Sequence, residues 1–170
     1  MRRAGQARPT GEGWTRAGRL HIIWAVARTL EELLVEARAK IDRLEPVEAF
    51  AAMEDGALVV DIRSDPDRER DGIVPGSLHV PRTVLEWRVA PGSPWRSPHV
   101  GGLDQRIVLL CDHGYSSSLA AATLVELGFK RAGDVVGGFD AWRAAGLPTA
   151  SAAPRPLEPG ELAGMGPPDS

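Results

Sequence analysis

The stretch Arg106–Ser117 reads RIVLLCDHGYSS, and its pattern changes abruptly at the cysteine. Residues 106–110 form a short apolar run, which is typical of a buried strand in a parallel sheet. Residues 117–127 are predicted to be helical, and Gly128 is suited to end that helix. Cys111 therefore stands between a strand and a helix, where α/β sheets bind their ligands.

The same alternation of strands and helices continues on both sides of this stretch. Further short strands are predicted over Ala57–Ile62, Ser77–Val80 and Asp134–Val136. Helices are predicted over 82–88 and 139–145, whereas 63–72 reads as a charged loop and 89–102 as a loop rich in Pro and Gly. Short apolar strands that alternate with helices predict an α/β fold around a mainly parallel sheet.

The N-terminal part of this region predicts two further helices. Thr29 and Glu32 have the spacing of a capping box, which predicts a helix that begins there. Its apolar face comprises Leu30, Leu33, Leu34, Ala37, Ile41 and Leu44. This amphipathic helix, assigned to 29–45, is expected to pack on the domain or to form a dimer surface. A second helix is predicted from Pro46 to Gly56.

The domain proper is predicted to cover residues 46–150. Residues 1–28 are rich in Arg and Gly without periodicity, and we interpret them as a disordered leader. Residues 151–170 are rich in Pro and read as a disordered tail. The run Leu20–Ala27 also resembles a short secretion signal, but it is interrupted by His21. A cytoplasmic location is therefore the expected one.

Composition argues against several classes of function. The 170 residues carry a net charge of −3 with scattered Lys and Arg, so no nucleic-acid partner is expected. No apolar run reaches the roughly 18 residues that a membrane span needs. One cysteine and four widely separated histidines give no ligand spacing, so no metal is predicted.

The loop after the strand of residues 106–110 has the chemistry of an anion site. A helix N-terminus stabilises a nearby anion such as a thiolate, and Gly114 allows the positive φ that a tight loop needs. Ser116 and Ser117 are suited to N-capping, and a hydroxyl could also donate to the sulfur of Cys111. On this chemistry alone, a catalytic nucleophile and a buried inert cysteine are equally good interpretations.

Four segments give the chain a family resemblance. They are Val59–Arg63, Gly72–Ser77, Cys111–Ser117, and Gly137–Trp142 followed by Ala145–Pro148. They resemble, in order, the Asp-x-Arg strand, the Gly-His-Ile-Pro-Gly-Ala turn, the active loop and the closing Gly-Gly-x-x-Ala-Trp…Ala-Gly-Leu-Pro of rhodanese-like domains. From Pro46 to Pro148 the chain is therefore similar to the single-domain thiosulfate sulfurtransferase type.

The resemblance implies a three-layer α/β/α fold with Cys111 on the floor of a shallow pocket. Cys111 would take sulfane sulfur from thiosulfate or a persulfide and pass it to cyanide, a thiol or a sulfur-carrier protein, with no cofactor. The backbone N–H groups of the loop would stabilise the anions. The resemblance implies that the substrate-binding residues are Asp112, His113, Gly114, Tyr115, Ser116 and Ser117. Arg63 is a further candidate.

One departure from the family and three alternatives stay open. Many members carry a basic residue just after the cysteine, where this chain has Asp112, so weak use of thiosulfate is expected. His113 would offset that charge if protonated. The alternatives are a non-catalytic regulatory or binding module, a redox sensor, and a cysteine phosphatase. The phosphatase is disfavoured because Ser116 stands where its loop carries Arg.

Overall fold

A computed structural model describes residues 27–152. Its centre is a sheet of five parallel strands in the spatial order β1-β5-β4-β2-β3. The strands are β1 Asp42–Leu44, β2 Leu58–Asp61, β3 Leu78–His79, β4 Arg106–Leu110 and β5 Arg131–Val135. The predicted α/β fold with a mainly parallel sheet is confirmed.

Helices cover both faces of this sheet. They are α1 Leu30–Arg38, α2 Pro46–Glu54, α3 Asp65–Asp71, α4 Leu85–Val89, α5 Ser116–Glu126 and α6 Gly138–Ala144, with a 3₁₀ turn over Arg82–Val84. Helices α4 and α5 pack into one buried cluster, whereas α2 and α6 pack into another. The predicted three-layer α/β/α arrangement is thus confirmed. No helix within residues 27–152 is long and apolar enough to cross a membrane.

Strand β4 shows how the sheet divides the core. Side chains alternate along a strand, so Ile107 and Leu109 enter the cluster with α5, while Val108 and Leu110 enter the cluster with Trp142. Cys111 continues the first series, at the carboxyl end of the strand. A reactive group therefore sits at the end of a rigid central strand.

The helix predicted over 29–45 is wrong in its second half. The capping box at Thr29 is present, but α1 ends at Arg38, and Asp42–Leu44 forms the edge strand β1. Strand β1 pairs with β5, where Asp42 lies opposite Gly133. A Cβ atom on Gly133 would lie 2.1 Å from the Asp42 carbonyl oxygen, so only glycine allows this approach. Sheet pairing therefore overrides the helical spacing of Ile41 and Leu44.

The segment 63–72, predicted as a charged loop, contains helix α3. The Ser64 side chain accepts a hydrogen bond from the Asp67 amide, and a proline lies in the first turn. This helix has no apolar stripe, so hydrophobic spacing could not reveal it. Its cap and its proline were the available signals.

Other boundaries shift by a few residues. Strand β5 begins at Arg131, three residues before the predicted start at Asp134. The prediction starts too late because Arg131 and Gly133 interrupt the apolar pattern. The helix predicted over 82–88 divides into the 3₁₀ turn and α4. The predicted leader and tail lie almost entirely outside the described residues, and Leu20–Val26 lies wholly outside them.

Candidate active site

The sulfur of Cys111 is buried in a small cradle of hydrogen-bond donors. Its side chain is only 6% exposed. The Gly114 amide donates to Sγ over 3.2 Å, and the Ser117 hydroxyl lies 3.1 Å from Sγ. The cradle can stabilise an anion on this sulfur, because donors that point at an ionised group favour it.

The cradle depends on a turn that requires glycine. Gly114 adopts a φ of +73°, in the left-handed region that favours glycine. A Cβ atom at this position would lie 2.8 Å from the backbone nitrogen of Gly137. The conformation expected of Gly114 is therefore present, and the segment after β5 leaves no room for a side chain.

Helix α6 fixes the same loop from the other side. The Phe139 amide donates to the Cys111 carbonyl oxygen over 2.8 Å, and the Asp140 amide donates to the Asp112 carbonyl oxygen over 3.1 Å. Both amides belong to the first turn of α6, where helix N–H groups lack partners within the helix. The backbone on both sides of the cysteine is thereby held to a second helix.

The pKa of the Cys111 thiol lies below its ordinary value. Burial raises this pKa, but hydrogen bonds from the hydroxyls of Ser117 and Ser116 and backbone hydrogen bonds at Ser117 and His113 together outweigh it. The thiolate is the nucleophilic form of cysteine, so these hydrogen bonds increase its fraction at neutral pH.

The two serines do not cap the helix as predicted. Tyr115 occupies the N-cap position of α5 without a capping hydrogen bond from its side chain, and α5 begins at Ser116. The Ser117 hydroxyl instead faces the sulfur and Asp134, over 3.2 Å to the Asp134 carboxylate. The alternative role considered for a hydroxyl, contact with the sulfur, is the one observed.

A buried polar group beneath the loop is not predicted by the sequence. Asp134, fully buried in β5, accepts hydrogen bonds from Ser118 over 2.7 Å and from Arg43 of β1 over 2.9 Å. Arg38 of α1 donates to the Gly114 carbonyl oxygen over 3.1 Å. An acidic residue within a buried strand is the only sequence signal of this arrangement, since Arg43 and Arg38 come from distant segments.

Arg63 is held mainly by structural contacts. Its guanidinium donates to both Asp61 carboxylate oxygens and to the Gly72 carbonyl oxygen, and lies 3.8 Å from the Phe139 ring centroid. One nitrogen, Nη1, is buried without a hydrogen bond and lies 3.9 Å from an Asp112 oxygen. Arg63 therefore reaches the active loop through that one nitrogen.

The remaining loop side chains lie toward solvent. Asp112 is partly buried, and this desolvation raises its pKa, whereas Arg63 acts to lower it. His113 is exposed and lies 3.2 Å from an Asp140 oxygen. Tyr115 is exposed too, with the Arg38 guanidinium 5.5 Å from its ring centroid. These three side chains contact Arg63, Asp140 and Arg38, respectively.

Comparison with known families agrees with this geometry. A model of the rhodanese-like domain matches residues 45–145, which is more than half of the chain. The chain belongs to the rhodanese-like domain family.

Relatives of this rhodanese-like chain include curated proteins and solved structures. It is 37% identical over 101 residues to the thiosulfate sulfurtransferase GlpE of Stutzerimonas stutzeri, covering 59% of this chain and 84% of that protein. A structure from Rhodopseudomonas palustris, described as a protein of unknown function and possible tyrosine phosphatase, has a TM-score of 0.68 at 37% identity and covers 74% of this chain and 96% of that one. The polysulfide-sulfur transferase homodimer of Wolinella succinogenes has a TM-score of 0.57 at 25% identity, with 76% and 90% covered.

The role of Ser117 in this rhodanese-like site can be tested without any sulfur substrate. Replacing Ser117 with Ala removes a hydrogen bond to the thiolate, and such bonds contribute about 1.5–3 kcal/mol. The pKa of Cys111 should rise, and its alkylation by iodoacetamide near pH 7 should slow roughly tenfold. The reagent reports Cys111 alone because the chain has no other cysteine. Ser77→Ala, which removes a hydroxyl that bonds the Val74 carbonyl oxygen, is the control. An unchanged alkylation profile in Ser117→Ala would contradict this role.

Proposed function

We propose that this rhodanese-type sulfurtransferase carries sulfane sulfur as a persulfide on Cys111. The observation that carries the proposal is the cradle around Sγ, where the Gly114 amide and the Ser117 hydroxyl face a sulfur with a lowered pKa. A buried cysteine with a purely structural role would gain nothing from donors aimed at its sulfur.

The reaction proceeds in two displacements at sulfur. The Cys111 thiolate attacks the outer sulfur of a donor; a new S–S bond forms, and sulfite leaves with the electron pair if the donor is thiosulfate. An acceptor nucleophile, either cyanide or a thiolate, then attacks the outer sulfur of the persulfide. The bond between Sγ of Cys111 and the outer sulfur breaks, and the electron pair returns to Sγ, which becomes a thiolate. This is covalent catalysis without a cofactor.

The loop supplies the electrostatic part of this chemistry. Negative charge lies first on Sγ, then on the outer sulfur of the persulfide, and then on Sγ again. The Gly114 amide and the Ser117 hydroxyl remain with Sγ, and the other backbone N–H groups between Asp112 and Ser117 are the proposed donors to the substrate anion. Arg63 is proposed to contribute Nη1, which has no hydrogen bond and lies 3.9 Å from Asp112, at the edge of the site.

The donor is proposed to be thiosulfate or a more reduced sulfur species. The named activity of the Stutzerimonas relative supports thiosulfate, and that of the Wolinella structure supports a polysulfide. The negative charge of Asp112 favours a third kind of donor, a singly charged persulfide. A unit charge about 6 Å from a like charge is repelled by about 1–3 kcal/mol at effective dielectrics of 80 to 20. The dianion of thiosulfate would meet more of this repulsion than a singly charged persulfide.

The acceptor is proposed to be a thiol in the cytoplasm, either a small molecule or a sulfur-carrier protein. These 170 residues contain no second cysteine, so the sulfur has no other thiol within them to reach. In this proposal it leaves to a thiol outside these residues. A transfer partner is therefore part of the proposal.

A phosphatase reaction fits this site less well. Cysteine phosphatases close their loop with an arginine that clasps the oxyanion, and Ser116 holds that place here. The guanidinium of Arg63 is already occupied by Asp61 and Gly72 through two of its nitrogens. A purely regulatory module is disfavoured because Cys111 and the donors to its sulfur are present.

The proposal is tested by turnover with a panel of donors and acceptors. Wild-type protein should transfer sulfur from thiosulfate, and from a singly charged alkyl persulfide at a higher kcat/KM, to both cyanide and a small thiol. The Cys111→Ser variant should lose all transfer because it cannot form the persulfide. Ser77→Ala serves as the control for handling and folding. Turnover that survives in Cys111→Ser would overturn the proposal.

The charge of Asp112 is tested separately. Replacing Asp112 with Arg should lower the KM for thiosulfate several-fold, because a repulsive charge becomes attractive. The KM for a singly charged persulfide should fall less. Asp104→Arg changes an exposed residue paired with Lys130 and should leave both values unchanged. A thiosulfate KM that stays at the wild-type value in Asp112→Arg would refute the charge argument.

A further inference from the structure

We propose that Asp134 and Arg43 are positioning residues for the Ser117 hydroxyl. They control whether this hydroxyl donates its hydrogen bond to the Cys111 sulfur or to Asp134, and thereby how easily Cys111 becomes a thiolate. This inference rests on the proposed function, since it concerns the nucleophile of that reaction. Neither residue touches the sulfur in any described contact. Both act through Ser117.

The geometry begins with the crowding around one hydroxyl. The Ser117 oxygen lies 3.1 Å from the Cys111 sulfur and 3.2 Å from an Asp134 carboxylate oxygen, and all three residues are buried. A serine hydroxyl has a single hydrogen to donate. The sulfur and the carboxylate therefore compete for it.

The competition resolves differently in the two ionisation states of the cysteine. In the thiol state, the S–H group can donate to the Ser117 oxygen while the hydroxyl donates to Asp134. In the thiolate state, the hydroxyl turns toward the sulfur, and the proton of the thiol has gone to solvent. Asp134 then keeps the hydrogen bonds from Arg43. The Ser118 hydroxyl can also donate to it, since it lies 2.7 Å from Asp134 and 3.0 Å from the Gly114 carbonyl oxygen. A stronger hydrogen bond from Ser117 to Asp134 thus favours the thiol, and a weaker one favours the thiolate.

Arg43 determines how strong the hydrogen bond from Ser117 to Asp134 is. Asp134 is fully buried, and an isolated carboxylate in that position would both hold the hydroxyl and repel a thiolate nearby. The Arg43 guanidinium donates to both carboxylate oxygens, over 2.9 and 3.4 Å. It comes from the edge strand β1 and is only a quarter exposed. The positive charge therefore offsets the carboxylate beneath the loop.

Other charged groups face the loop and are unchanged by substitutions at Asp134 and Arg43. Helix α1 contributes Arg38, the segment after β2 contributes Arg63, the loop itself contributes Asp112 and His113, and α6 contributes Asp140. Their effects on the sulfur should be the same in each variant. Differences in the pKa of Cys111 between the variants are then due to the Asp134–Arg43 pair.

Replacing the two partners should shift the pKa of Cys111 in opposite directions. Asp134→Asn removes the charge and gives an amide that can donate to the Ser117 oxygen, so the hydroxyl is released to the sulfur and the pKa falls. Arg43→Gln leaves the carboxylate without its cation, so the hydroxyl is retained and the pKa rises. Mere loosening of the loop would raise the pKa in both variants, because it would weaken the donors to the thiolate.

The experiment measures iodoacetamide alkylation of Cys111 against pH in the full chain. Near pH 7, alkylation should become at least about threefold faster in Asp134→Asn and at least about threefold slower in Arg43→Gln. Asp104→Asn alters an exposed ion pair and Arg82→Gln a part-buried one, and both are the matched controls. The proposal is overturned if the two variants shift in the same direction, or if either profile matches the wild type.

Two further variants guard against poor folding. Arg43→Lys keeps the charge without the planar fork and should restore alkylation toward the wild-type rate; a rate as slow as that of Arg43→Gln would contradict the charge argument. Ser118→Ala removes the hydroxyl that lies 2.7 Å from Asp134 and 3.0 Å from the Gly114 carbonyl oxygen, and it should slow alkylation; a faster or unchanged rate would likewise contradict the charge argument. Alkylation uses no sulfur donor, so these outcomes are independent of whether sulfur transfer occurs.

Discussion

A buried thiolate needs hydrogen-bond donors in place of the water that it has lost, and this requirement organises the site. Strand β4 delivers Cys111 into the core, where burial alone would keep the thiol protonated. The Gly114 amide and the Ser117 hydroxyl supply the missing donors. Helix α6 then holds the loop by its backbone, which fixes the positions of those donors.

The elements that position this loop come from the whole length of the domain. Arg38 of α1 and Arg43 of β1 reach the Gly114 carbonyl oxygen and Asp134, and so connect the first described elements to the reactive loop. The match to the rhodanese-like domain begins only at residue 45. The segment just before the family match therefore contributes directly to the support of the nucleophile, through charge as well as through packing.

The central strands and the reactive loop could be predicted from the sequence because their signals are local. The apolar run before Cys111 and the glycine three residues after it carry that information. Strand β1 could not be predicted, since it exists only by pairing with β5, and its spacing also fits a helix. The Asp134–Arg43 pair was missed for the same reason: it joins residues 91 positions apart. Long-range pairing, which a local pattern does not record, accounts for both failures.

The most direct test of the central claim is the mass of the intact protein after incubation with a sulfur donor. A singly charged alkyl persulfide, and thiosulfate to a smaller extent, should add about 32 Da, the mass of one sulfur atom, to Cys111, since it is the one cysteine available. Cyanide should remove the added mass, and Cys111→Ser should never acquire it. A wild-type protein that gains no mass with either donor, or whose added mass resists cyanide, would contradict the account.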